Sequence, residues 1–283
     1  MNDSIESLTS FLNEHFRTGP DYFVNSVEFI KWALMLPYAD DDMQIILKRS
    51  DEIIAVGTCF EIKLYGVNSR FVSPNFLCIH KDYRNNGLTK CMILKSHVNI
   101  SKCGINGVIW LSEKVLPAHV VSVFSYYAIY LKDHILVSSP VSSSGQYRIA
   151  GESDVPFITS ILNKGKYLSP IFDEVYTSHY FIKYQSVVRS LVLDDEFGSY
   201  VIRQTNSGTL SAYLFYFSGS RRIVECCVDD AFRLGISIFL ISDVSKARRD
   251  LVVEMNMIKT GLVCYYYSNI DLVKTDDVEL VLI

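Results

Sequence analysis

Residues Asn75 to Thr89, NFLCIHKDYRNNGLT, constrain the fold more than any other stretch, because the hydrophobic period changes inside them. An apolar strand (Phe76, Leu77, Cys78, Ile79) runs into a polar turn at Asn85, Asn86 and Gly87. A helix then opens at Leu88 with Met92, Ile93 and Leu94 on its apolar face. Strand, tight turn and helix in that order make an α/β unit. The first helical N–H groups have no intrahelical partner and lie at the positive end of the helix dipole, so a phosphate is stabilised there. Arg84, just before the turn, can add a charged fork. The plainer alternative is a solvated turn joining a core strand to a core helix.

The chain has 283 residues, enough for one large domain or two of about half that size. Apolar residues make up 49% and charged residues 20%, the balance of a globular chain, and a net charge of −4 without a long Lys/Arg run argues against a nucleic-acid partner. No apolar run is long enough to span a bilayer, and the start MNDSIESL is too polar for a signal peptide, so the expected location is cytoplasmic, with no integral membrane segment. Seven cysteines without a CxxC pair give neither a disulfide framework nor a metal site, and adjacent Cys226 and Cys227 suit core packing.

Read in order, the pattern predicts helices over Ser4 to Phe16 and Ser26 to Leu36, then strands near Met43 to Lys48, Ile53 to Lys63 and through Cys78. After the helix from Leu88 come a strand (Gly107 to Leu111) and an apolar helix (His119 to Leu131), a βββαβα half. SSPVSSSG, Ser138 to Gly145, has the composition of a linker and marks the expected boundary. Beyond it the pattern gives a strand at Arg148 to Ala150, helices at Asp154 to Lys164 and Asp173 to Tyr184, and a hairpin of Ser199 to Gln204 with Thr209 to Phe217. A helix (Arg222 to Leu234), a strand (Ile236 to Ile241), a helix (Ser245 to Glu254) and strands at Ile258 to Tyr267 and Glu279 to Ile283 follow. The second half repeats the element order of the first.

The spacing of Arg84, Gly87 and Thr89 resembles the loop that takes the pyrophosphate of coenzyme A in the acetyltransferase superfamily, with Thr89 where Gly or Ala is usual. NFLC followed by an aliphatic residue and HK resembles the first signature of the N-myristoyltransferase family. LNEHF (Leu12 to Phe16) is similar to the family's LNENY, VEFIKWAL (Val27 to Leu34) to its PEFLLWAL, and Val115, Leu116 and Pro117 to a VLP. YYYSNI (Tyr265 to Ile270) resembles YYLYNW, and the final LVLI resembles tails such as GLVLQ. The resemblance implies an α/β (α+β) fold of two pseudo-repeated acetyltransferase-like halves, 1–140 and 146–283, sharing a continuous mixed sheet flanked by helices. The first half would carry the acyl-CoA site, and the second a peptide-binding surface and a catalytic C-terminus.

The same resemblance implies a glycylpeptide N-tetradecanoyltransferase, a monomer that moves myristoyl from myristoyl-CoA to the N-terminal glycine of protein substrates. Acyl-CoA is then a co-substrate, with no further cofactor and no metal. Another N-acyltransferase of the superfamily, or a silent relic of the fold that acts as a binding protein, is the alternative. The implied coenzyme-binding residues are Phe76, Leu77, Cys78, Ile79, Arg84, Asn85, Asn86, Gly87, Leu88 and Thr89. Phe23, Asn75, Ser112 and Gly261 are implied for the acceptor. The implied catalytic base is the carboxylate of Ile283, and the implied oxyanion donors are the N–H groups of Phe76 and Leu77. Backbone donors need a disrupted strand, which Pro74 makes credible, since it donates nothing to a ladder. Asn75 matches the family Asn that holds the amine, though an Asn at a strand end can also bond its own backbone. The departures are specific: the family's KFGIGDG falls on MNMIKTG (Met255 to Gly261) without its Asp, a family Thr falls on Leu111, and the Tyr of the acceptor loop becomes Asn25.

Overall fold

A single mixed sheet of twelve strands runs through both halves of the chain. The structure, a computed structural model, describes residues 4–17, 20–67, 69–105, 107–112, 116, 118–131, 146–164 and 169–268. Helix α1 (Ile5–His15) starts where Ser4 Oγ accepts the Ser7 N–H (3.1 Å), and α2 (Val27–Leu34) where Ser26 Oγ accepts that of Phe29 (3.0 Å). The short strand β1 (Phe23–Val24) lies between them in sequence. Strands β2 (Gln44–Arg49), β3 (Glu52–Ile62) and β4 (Phe71–Ile79) form an antiparallel meander, and α3 (Leu88–Lys102) crosses over to β5 (Gly107–Ser112), parallel to β4. Strand β6 (His119–Tyr130) closes this half.

The second half repeats the plan. After β7 (Arg148–Ile149), α4 (Val155–Leu162) and the single turn α5 (Glu174–Thr177), strands β8 (Val188–Leu193), β9 (Glu196–Thr205) and β10 (Leu210–Ser218) form a second meander. Helix α6 (Arg221–Arg233) then crosses to β11 (Ile238–Ser242), parallel to β10, and α7 (Lys246–Glu254) leads to β12 (Ile258–Ser268). The order is β2-β3-β4-β5-β12-β6-β11-β10-β9-β8-β7, with β1 on β9. Each half's last strand therefore crosses over: β12 pairs with β5, and β6 with β11, and the two pair with each other at the centre. This is the expected fold, two acetyltransferase-like halves on one continuous sheet flanked by helices.

Side-chain alternation assigns the helices to faces. Phe76, Cys78, Val201 and Phe215 pack with α1, α2 and α4 on one face, whereas Ala55, Ile79 and Val72 meet α3, and Tyr200 and Leu214 meet α6 and α7, on the other. Helix α2 also joins the halves. Trp32 Nε1 donates to the Tyr180 carbonyl (3.2 Å), and His179 Nε2 bonds the Trp32 carbonyl (2.9 Å) from a π-helical turn, Ser178–Ile182. No described helix is long and apolar enough to cross a membrane.

Two expectations are corrected, and one strand was not anticipated. His119 to Leu131 forms not a helix but the strand β6, because Phe124 and Tyr126 face one side while Tyr127 and Ile129 face the other, and a strand buried on both faces reads as a continuous apolar run. The helix expected over Asp173 to Tyr184 is one α-turn passing into the π-turn. Strand β8 did not stand out from the preceding turn. The linker Ser138 to Gly145 and the strand Glu279 to Ile283 lie outside the described residues.

Candidate active site

Strands β4 and β5 pair only at Phe71–Gly107 and Val72–Val108, although β4 continues to Ile79 and β5 to Ser112. Beyond Val72 they part like the arms of a V. On its other edge β4 pairs with β3, and the register shifts between Gly57 and Cys59, opposite Pro74 to Leu77. Pro74 has no N–H to give, so the irregularity falls where the ladder is weakest. The Phe76 N–H donates to the Thr58 hydroxyl (3.0 Å) instead of a carbonyl. His80 N–H donates to Ile54 (2.9 Å), and alternation along an antiparallel pair then turns the Leu77 N–H away from β3, into the V.

Asn75 sits beside these groups, with its amide nitrogen on the Ala33 carbonyl (3.3 Å). Ser112 lies on the opposite arm, paired with Cys264 of β12. Cys78 and Ile79 are buried under the strand, and burial pushes the Cys78 thiol up to about 11.

At the far end of β4 the chain turns through Asn85 (φ 65°) and Gly87 (φ 77°) into α3. The left-handed backbone at Gly87 suits glycine, no side chain caps the helix, and its first turn carries no acid. Its N–H groups face outward past exposed Asn85, Asn86 and Thr89, with Leu88 partly buried. Arg84 turns inward: Nε donates to the Ile79 carbonyl (3.1 Å) and Nη2 to that of His15. It braces α1 against the loop. The corresponding helix of the second half differs, since Ser220 Oγ accepts the Arg222 N–H (3.2 Å) and Glu196 takes the Ser220 N–H (2.9 Å). The bulge in β10 is also filled, with Arg248 donating to the carbonyls of Leu214 (3.1 Å) and Phe215 (2.6 Å). Of the two crossover helices, only α3 offers an open N-terminus to an anion.

On the face opposite α3, a cavity of about 330 Å³ reaches Asn75 from between the halves. Trp32, Phe60, Phe172, Tyr180, Phe215 and Tyr216 supply most of its rings, and Ala33 and Ile62 its aliphatic wall. Glu61 at its edge is clamped by Arg70 (2.7 Å to each oxygen), which holds the Glu61 carboxyl below its ordinary range. Burial raises the Tyr180 phenol, leaving it neutral. Most of the lining is aromatic or aliphatic, and Glu61, Lys63 and Asp173 are its charged members.

Two implied acceptor residues sit farther along this face. Phe23 is on β1, in edge contact with Tyr213 (6.0 Å between ring centres), and Gly261 pairs with Tyr126 at a register shift in β12. Tyr126 and Tyr213 meet at 5.8 Å, so a run of rings connects the two. Ile283 lies outside the described residues, as do Val115 and Pro117. Nothing local in the sequence marks Thr58, whose role depends on the bulge register, or Arg203, whose surroundings come from three separate elements.

A meander followed by a crossover helix and a parallel strand, built twice on one sheet, defines an acetyltransferase-like fold. Residues 1–123 match the family model described as Myristoyl-CoA:protein N-myristoyltransferase, N-terminal domain. The first part of the chain is thus similar in sequence to N-myristoyltransferases, and its fold is similar to theirs throughout. Glycylpeptide N-tetradecanoyltransferase 2 of Danio rerio is 24% identical over 225 residues, covering 69% of this chain and 46% of that protein. Glycylpeptide N-tetradecanoyltransferase of Saccharomyces cerevisiae is 31% identical over 124 residues, covering 41% of this chain and 27% of that protein. The chain thus spans about half the length of the curated relatives it matches, or less. A crystal structure of Saccharomyces cerevisiae N-myristoyltransferase with bound myristoyl-CoA aligns with a TM-score of 0.83 at 20% identity, over 100% of this chain and 83% of that one.

Proposed function

We propose that this chain transfers myristoyl from its coenzyme A thioester to the N-terminal glycine amine of a protein substrate, acting in the cytoplasm as a monomer and producing a lipid-modified protein. The open N-terminus of α3 at the end of a bulged, splayed strand is the observation that carries this reading. The helix offers N–H donors to a pyrophosphate, and the V offers the Leu77 N–H to a thioester oxygen. An acyl chain continuing past Asn75 enters the apolar cavity, where each buried CH₂ contributes about 0.8 kcal/mol.

In this reading residues 1–140 hold the acyl-CoA, and 146–283 supply much of the acceptor surface. An α-amino group has a pKa of about 7.7 to 8.0, so most of it must lose a proton before it attacks. The amine nitrogen then bonds the thioester carbon and charge gathers on the oxygen facing Leu77 N–H; as that oxygen re-forms the carbonyl the C–S bond breaks, and the extra proton on the nitrogen passes to the departing thiolate, so that coenzyme A leaves as the thiol and the product is an amide. Asn75 and Ser112, on the two arms of the V, are the side chains that would orient the amine.

The test is incubation with labelled myristoyl-CoA and a glycine-starting peptide, read by mass spectrometry for the acylated product and by release of free thiol. A peptide that stays unmodified under saturating donor would overturn the reading. A second reading, a binding protein that keeps the fold, is favoured by one observation, the occupation of the Phe76 N–H by Thr58. It predicts myristoyl-CoA binding without transfer. Equal competition by acetyl-CoA would point to a shorter acyl group.

A further inference from the structure

Among the described residues, Arg203 on β9 is a cation without an anion. Nη2 donates to Asn25 Oδ1 (3.2 Å), and among the described residues no carboxylate lies within ion-pair distance of the guanidinium. Arg70, Arg148 and Arg189, by contrast, each hold a carboxylate through paired bonds. Phe29 and Phe23 clasp the Arg203 guanidinium, their ring centres 3.9 and 4.7 Å from its carbon. The side chain is partly buried, and desolvation pushes its pKa down to about 10, so it remains charged at neutral pH. Rings compensate part of the lost hydration of a cation but leave its hydrogen-bonding edge unused. Among the described residues Nε and Nη1 have no hydrogen-bond partner, and neither is a nitrogen sealed away from solvent.

Its position gives this fork a direction. β1 pairs with β9 through Val24 and Gln204 and through Phe23 and Thr205, which fixes the Phe23 ring against both Arg203 and Tyr213. Tyr213 continues to Tyr126, the pairing partner of Gly261. Arg203 therefore stands at one end of the ring-lined run on the face that carries the cavity and Asn75. A planar fork held in place by two rings and an amide is preorganised for a carboxylate, which it can bind through two parallel bonds.

We infer that Arg203 is a specificity-determining residue that selects acceptor peptides carrying an acidic side chain close behind the N-terminal glycine. The inference rests on the acyl-transfer reading for the identity of the acceptor, while the recognition itself is a binding property. An unpaired, partly desolvated guanidinium disfavours a second cation and gains most from an anion. The site thus excludes peptides with Lys or Arg at that place.

The experiment uses glycine-starting peptides with a single Glu moved through the residues that follow the glycine, each paired with the same peptide carrying Gln. Binding is followed by fluorescence anisotropy with and without myristoyl-CoA, and transfer by mass spectrometry. At one placement the Glu peptide should bind roughly tenfold tighter than its Gln twin, and Arg203→Gln should abolish that difference. Arg203→Lys, which keeps the charge and loses the fork, should retain only part of it. Where transfer occurs, the effect belongs in KM and leaves kcat nearly unchanged. No preference for Glu at any placement in the unaltered protein overturns the inference, and so does a preference that survives Arg203→Gln in protein of unchanged thermal midpoint. Transfer without any Glu preference sinks this inference alone, and Glu-selective binding without transfer sinks the acyl-transfer reading alone.

Discussion

The Thr58 hydroxyl accepts the Phe76 N–H at 3.0 Å, so a side chain stands where a β3 carbonyl would close the ladder. Both residues are buried, and water cannot replace the bond. Thr58→Val keeps the shape and removes the acceptor, leaving a buried N–H unpaired at a cost of about 1–3 kcal/mol. A lower urea midpoint is the expected result. If Phe76 N–H also serves the thioester oxygen, turnover of the folded variant is not reduced, because Thr58 competes for that donor. A large fall in turnover at unchanged myristoyl-CoA affinity would show that the hydroxyl itself takes part.

Gly87 tests the helix terminus. A Cβ there meets nothing within 4 Å, so a substitution acts through the φ of 77° and through charge. Gly87→Ala and Gly87→Glu should each lose about 1 kcal/mol of stability to the left-handed backbone. Only Gly87→Glu places a carboxylate over the open N–H groups, and its affinity for an acyl-CoA should fall roughly tenfold or more. Equal affinity in the two variants would remove the pyrophosphate from α3.

Acid should weaken the fold through its buried histidines. Burial, and then the facing His80 at 4.1 Å between ring centres, lower the His15 pKa, and burial lowers that of His179. Both groups favour the neutral form when folded, while the unfolded chain titrates near 6.5. Their contribution is present above about pH 6.5 and lost as pH falls through the folded-state values. Urea midpoints measured from neutral pH down to about pH 5 should decline, and His15→Leu, which also removes a buried nitrogen without a partner, should make the decline shallower. An unchanged slope in that variant rules out His15 as a source.

The strand, turn and helix around Gly87 were legible because a change of hydrophobic period and a glycine are local signals, and α3 begins at Leu88 as read. Strand β6 was not, since a strand buried on both faces loses the alternation that distinguishes it from a helix. Nothing local marks Thr58, one residue in an apolar strand, as the acceptor for Phe76, because that role is set by a register shift between two strands. Arg203 illustrates the same limit. Its residue type was visible, but its enclosure by two rings with no described carboxylate beside it is a property of three elements brought together, β1, α2 and β9.

The cavity permits a test of acyl length. Ala33 lines it from α2, and its carbonyl holds the Asn75 amide through the main chain, a bond that a longer side chain leaves in place. Ala33→Leu adds three carbons to the wall of a space of about 330 Å³. If the acyl chain occupies that space, two to three of its methylenes are displaced. At about 0.8 kcal/mol each, this is about 2 kcal/mol, or roughly thirtyfold in affinity for myristoyl-CoA. Acetyl-CoA reaches no farther than the bulge, so its affinity should not change. Overpacking also costs stability, about 1–3 kcal/mol in a close-packed core, and the thermal midpoint must be followed alongside. Myristoyl-CoA binding as tight in folded Ala33→Leu as in the unaltered protein would place the acyl chain outside this cavity and leave its aromatic lining as ordinary core.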